Sequence, residues 1–216
     1  MNSFLISLTE RGFMPDWLIR KGIQALLKQR IGQLTGYSLE SVCHEKQRFI
    51  EAQESSPVAL QTDVANDQHY ELPAEFFERV LGDHLKYSCG YWSDTTRTLN
   101  QSEDLALEKT CIFARIENGQ RILELGCGWG SLTLFMAERY PKSYVTAVSN
   151  SLSQADYIRS QLKSRSLKNV DVITADMNVF DTQIGHFDRV VSVEMFEHMR
   201  NYSLLYERIS SWLLPG

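Results

Sequence analysis

In the run VEMFEHM, Glu194, Glu197 and His198 stand at i, i+3 and i+4, so a helix begun near Glu194 brings two carboxylates and an imidazole onto one face. Such a trio could attract a cation and remove its proton, the neighbours shifting one pKa towards neutrality. The same residues also suit a solvated first helical turn, where acidic side chains are favourable. A second group lies upstream in ILELGCGWGS, where Glu124 closes a β-rich run that passes directly into Gly126, Gly128 and Gly130 before a helical stretch. Glycines there let the backbone turn sharply and let a ligand come within contact distance. The spacing departs from the dinucleotide fingerprint G-x-G-x-x-G, with Trp129 between the last two glycines, so a pyrophosphate cradle is disfavoured. Cys43, Cys89, Cys111 and Cys127 form no C-x-x-C pair, so neither a metal site nor a disulfide framework is expected.

These groups need a scaffold. After Gly119 the β-rich runs RILEL, YVTAV, VDVIT and FDRVVSV alternate with helical stretches at about 131–139, 153–164 and 196–213. That alternation means a parallel sheet with helices on its faces, and a ligand above the carboxyl end of the first strand. Upstream, apolar residues from Asp16 to Leu34 recur at a helical period between Arg20, Lys21, Lys28 and Arg30. This basic face suits solvent, with contact to an anionic membrane surface as a minor option. Gly22 and Gly32 weaken the case for one straight rod. Helices are also expected at about 39–53, 75–81 and 101–116, with a connector or lid over 55–73 that includes His69 and Tyr70.

The 216 residues suffice for one ordinary domain plus an appendage. A composition 43% apolar and 23% charged, with 12 Gly and 5 Pro, excludes disordered and collagenous classes. Twenty-two basic against 27 acidic residues leave a net charge of −5, which speaks against nucleic acid as a partner. No apolar run reaches the roughly 18 residues of a membrane span. The amino end does not read as a secretory signal, so a cytoplasmic location is expected.

The E-x-G-x-G-x-G loop resembles motif I of class I S-adenosylmethionine-dependent methyltransferases. The stretches NDQHYELPAEFFERVLGDHLKYSCGYW, VTAVSNSLSQADYI and DRVVSVEMFEHMRNY resemble one branch of that superfamily, the cyclopropane-fatty-acyl-phospholipid synthases and the coclaurine N-methyltransferase group. The resemblance implies an α/β fold: a Rossmann-like methyltransferase sheet, its first four parallel strands in the order 3-2-1-4, with an N-terminal helical extension. The implied division is an extension over 1–60, a lid with connecting helices over 61–118 and a cofactor-binding core over 119–216.

S-adenosylmethionine is the implied cofactor. Glu124, Gly126 and Gly128 would hold its methionine part, with Tyr87 and Ser88 closing over it and Val193 beneath. Asn150 and Gln154, following Ser149, would contact ribose, although Asn150 and Ser153 equally suit a helix cap. Asp176 and Met177 would bracket adenine. The implied activity is methylation of a small amine, with Glu194, Glu197 and His198 near the nitrogen. The alternative is methylene transfer to an unsaturated lipid acyl chain, with Cys89 and Glu197 holding a bicarbonate ion. Cys89 is equally well read as a small buried hydrophobe. The extra charge of Glu194 favours the amine.

The family sheet has seven strands and this sequence supplies four before Leu214-Pro215-Gly216. A shortened core is therefore expected, whose fourth strand has an exposed edge open to a homodimer. An incomplete domain that binds cofactor without turnover is the non-enzyme reading.

Overall fold

The structure, a computed structural model, describes residues 3–35, 38–60 and 72–215, with side chains from Ile6 onward. His69 and Tyr70 lie outside the described residues. The chain divides into two compact units, Met1–Ala52 and Gln53–Gly216.

The first unit is helical, with α1 (Ser3–Glu10), α2 (Asp16–Thr35) and most of α3 (Leu39–Glu54). The sequence reading missed α1, because eight residues complete too few turns to display a period. By contrast α2 runs unbroken through Gly22 and Gly32, and at its start Arg20 Nε donates to Asp16 Oδ2 at 2.7 Å. No described helix is long and apolar enough to cross a membrane.

The second unit contains α4 (Ala74–Val80), α5 (Leu99–Phe113), β1 (Arg121–Leu125), α6 (Ser131–Arg139), β2 (Tyr144–Ser149), α7 (Leu152–Ser164), β3 (Val170–Thr174), β4 (Arg189–Ser192) and α8 (Tyr202–Trp212). All four strands are parallel, in the order β3-β2-β1-β4. The first return to the other side of β1 falls between β3 and β4, which opens a crevice above the carboxyl end of β1. Side-chain alternation along β1 sorts the layers. Leu123 and Leu125 pack with Val148 against Leu205, Ile209 and Trp212 on α8. Ile122, with Val145 and Val191, meets Leu107 and Cys111 on α5 and Leu132 and Met136 on α6. Both faces are thus covered, as parallel strands require.

Two helices differ from their expected bounds for local reasons. The helix expected over 101–116 spans Leu99–Phe113, because Thr98 and Gln101 form a reciprocal capping box and Arg115 adopts a left-handed φ of 51°. The helix expected over 196–213 is split. A single 3₁₀ turn, Phe196–His198, is followed by extended Met199, and α8 starts only after Asn201, whose side chain accepts from Leu204 N at 3.0 Å. The interruption is tertiary: Arg200 N donates to Val58 O at 2.7 Å, and Asn201 Nδ2 donates to the carbonyls of Glu54 and Ser56 at 3.0 and 2.8 Å.

Gly130, at φ 83°, is the residue that starts α6, and a Cβ there would stand 2.7 Å from Cγ1 of the fully buried Ile158 on α7. Gly130→Ala is expected to cost about 2–4 kcal/mol, part from the left-handed φ and part from overpacking. Urea denaturation of a double-mutant cycle checks this. In an Ile158→Ala background the clash disappears and the φ cost remains, so the two substitutions sum to less than additive.

Candidate functional site

The loop that leaves β1 is fastened to both neighbouring strands. Gly126 N and Cys127 N both donate to Val148 O, at 2.9 and 3.0 Å, and Ser192 Oγ donates to Leu125 O at 2.8 Å. Gly126 has a φ of 77°, and a Cβ on it would lie 2.7 Å from Met195, so the turn over the strand end closes only without a side chain. A Cβ on Gly128 would meet nothing within 4 Å, so this part of the loop faces open space.

Two cavities meet at the loop. One, of about 100 Å³, is walled by Val148, Ala175, Met177 and Met199 and carries Ser149, Asn150 and Gln154 as its polar groups. The other, of about 260 Å³, is reached by Lys86, Tyr87, Ser88, Glu124, Val193 and Glu197. Gly126, Gly128, Glu194 and His198 line both.

In the smaller cavity the two ends of one side chain differ. Gln154 Oε1 accepts from Ser149 Oγ at 2.8 Å, while its buried Nε2 has no acceptor among the described residues. That amide N–H₂ is a donor without a partner among the described residues, in a position where leaving it unmet is costly. Ser149 Oγ also accepts from Ser151 N at 3.1 Å, and Ser151, not Asn150 or Ser153, caps α7.

Glu124 is buried on the α5 and α6 side of β1 and accepts from Thr133 Oγ1 at 2.6 Å. Burial pushes its carboxyl up from 4.5 to about 8, against the smaller opposing effect of Thr133. Burial thus favours its neutral form near pH 7, and a cation beside it would favour the charged form.

The sequence trio does converge, although not on a helix. Glu194 sits in a left-handed conformation at φ 54° and Glu197 and His198 belong to the 3₁₀ turn, so the expected shared helical face does not exist. The loop brings them together instead: all three line the larger cavity and all three are exposed. Glu194 Oε1 accepts from Cys89 N at 3.4 Å, which ties the rim to the YSCGYW segment.

Two other expectations change. Cys89 is exposed, not a buried hydrophobe, and its side chain lines neither cavity. Asp176 lines neither cavity either; its Oδ1 accepts from Asn178 N at 2.7 Å, so the carboxylate stabilises the turn that presents Met177. Sequence reasoning also missed Lys86, which is only 6% exposed, lines the larger cavity and donates to Ser88 Oγ. The available signal was a lysine wedged between Leu85 and the aromatic YSCGYW run.

Comparison with known proteins adds kinship to this geometry. Residues 59–216 match the family model of mycolic acid cyclopropane synthetase. The chain is 36% identical over 209 residues to (S)-coclaurine N-methyltransferase of Thalictrum flavum subsp. glaucum, covering 97% of this chain and 58% of that protein. It is 41% identical over 175 residues to (S)-tetrahydroprotoberberine N-methyltransferase of Eschscholzia californica, covering 79% of this chain and 50% of that protein. A crystal structure of coclaurine N-methyltransferase bound to N-methylheliamine and SAH superposes with a TM-score of 0.83 at 36% identity, over 97% of this chain and 60% of that one. The chain thus spans between half and three fifths of the length of these relatives.

The raised pKa of Glu124 has a measurable consequence. Between its ordinary value of 4.5 and about 8 the native state keeps a proton that the unfolded chain releases, so this group's contribution to stability falls as pH rises through that window. Glu124→Gln removes the term. Its stability relative to the unaltered chain, from urea denaturation, should rise with pH by at most about 1.4 kcal/mol per pH unit between those limits and level off above.

Proposed function

The chain belongs to the mycolic acid cyclopropane synthetase family, and from that premise we propose that it is an S-adenosylmethionine-dependent methyltransferase acting on the nitrogen of a small amine. The observation that carries this reading is the junction of two cavities at Gly126 and Gly128, with Glu194 and His198 lining both.

The residues fit the cofactor. Gln154 offers a buried unmet donor and Asn150 a polar neighbour for ribose hydroxyls, while Met177, Ala175 and Val148 give an apolar wall for a base. In the larger cavity Glu124 supplies an acceptor for an ammonium group, with Tyr87, Ser88 and Val193 around it. Bound there, S-adenosylmethionine would supply a methyl group on a cationic sulfonium, open to in-line displacement.

The rim residues would manage the acceptor. An amine arrives protonated at neutral pH and must expose its lone pair before it can attack. Glu194 and Glu197 would draw the ammonium to the junction, and His198 or one carboxylate would take its proton. Glu194 and Glu197 at the junction suit a cation better than an anion there, and Cys89 lies outside the cavity lining. Both features weigh against the ring-forming alternative, which needs Cys89 and Glu197 around bicarbonate. The N-methyltransferase relatives, at 36% and 41% identity, support the amine reading.

Calorimetry with S-adenosylhomocysteine, followed by transfer of labelled methyl from S-adenosylmethionine to panels of cyclic amines and unsaturated phospholipids, tests the proposal. Amines should accept the label. Glu197→Ala should lower kcat by about 100-fold or more while leaving cofactor affinity nearly unchanged. Label in the phospholipid panel alone, or full activity of the variant, would overturn it.

A further inference from the structure

Lys86 carries a charge into the interior. It is 6% exposed, and none of the ion pairs among the described residues includes its ammonium; its acceptor is Ser88 Oγ. A lysine has three protons to donate, so this one retains donor capacity where water is scarce. Burial lowers its pKa from the ordinary 10.5, and the charges of Cys89, Glu194 and Glu103 offset part of that. An anion beside it would relieve the remaining cost.

Its position is built. Glu103 on α5, 1% exposed, accepts from Gly82 N at 2.8 Å through one oxygen and from His84 N at 3.0 Å through the other. This clamp fixes the loop just before Leu85, which takes a left-handed φ of 48°, and the chain then delivers Lys86 to the larger cavity. The same cavity is lined by Trp129 and Ser131, whose buried Nε1 and Oγ have no partner among the described residues. One cavity therefore combines a buried cation and unmet donors with Glu124, a carboxyl awaiting a cation. Groups of both signs in one cavity are what a zwitterion needs.

We propose that Lys86 binds the carboxylate of the cofactor's amino-acid end, with its ammonium directed towards Glu124, so that the chain selects ligands carrying an intact amino acid. This rests on the reading that the larger cavity holds that end of the cofactor.

Titration calorimetry on the full chain tests it with three probes: S-adenosylhomocysteine, its decarboxylated analogue and 5′-methylthioadenosine, which lacks the amino acid altogether. The unaltered chain should bind S-adenosylhomocysteine about 10–100-fold more tightly than the decarboxylated analogue, as expected for a charge-assisted contact. Lys86→Met should erase that preference and leave 5′-methylthioadenosine affinity within about twofold. Lys86→Gln, which keeps a polar tip, provides the same comparison if the first variant does not fold. The proposal is overturned if the variants keep the preference, or if they weaken all three probes alike. An unaltered chain that binds none of the probes overturns the cofactor reading and this inference with it, a result distinct from binding that does not depend on Lys86.

Discussion

A carboxyl group buried at the end of a central parallel strand sets the terms for the rest of the second unit. Glu124 is 3% exposed and has Thr133 as its side-chain partner. A carboxylic acid in such a place is expensive to ionise, and a fold selected for stability alone would place an apolar residue there. Its presence makes sense if a cation completes it. The glycine loop beside it is pinned to Val148 O through Gly126 N and Cys127 N, and the strand end that feeds it is pinned to Ser192 Oγ through Leu125 O.

A second buried carboxylate does a different job. Glu103 accepts two backbone N–H bonds from the loop before Lys86, so each of its oxygens has a partner within the protein. That contrast separates structural from ligand-seeking polar groups: Glu103 and Ser149 are satisfied locally, whereas Gln154 Nε2 is buried without an acceptor among the described residues. Three of the unmet groups, Gln154 Nε2, Trp129 Nε1 and Ser131 Oγ, lie along the two cavities that meet at Gly126 and Gly128, whereas Ser102 Oγ and Thr174 Oγ1 lie outside them. The rim of Glu194, Glu197 and His198 is exposed, and it is to these residues that the proposed function assigns the second molecule.

In the first unit, α2 and α3 bury no residue, and Trp17 and Leu34 are each 60% exposed. The helical period that predicted α2 reflects the alternation of apolar and basic side chains along it. It sets local backbone geometry and nothing about what the apolar side meets.

The sequence by itself determined the strands, the helices that cross between them and the turn at the end of β1. RILEL and VDVIT are strands at the residues where β-rich composition placed them, and Ser131–Arg139 is the helix its period announced, because pattern and burial agree along a covered parallel sheet. Glu124, Gly126 and Gly128 were legible as a strand end that turns sharply, because glycines after a β-rich run mark a turn that side chains would obstruct. Only the tertiary structure decided the rim. Local spacing made Glu194, Glu197 and His198 one helical face, but hydrogen bonds from residues 200 and 201 to the backbone of 54–58 draw the chain out of helix, and a left-handed Glu194 gathers the trio by another route. Those partners lie more than a hundred residues away in sequence, beyond the reach of any local period. The burial of Lys86 was hidden for the same reason: nothing near a lysine in sequence says that Glu103 will clamp the loop preceding it into the interior.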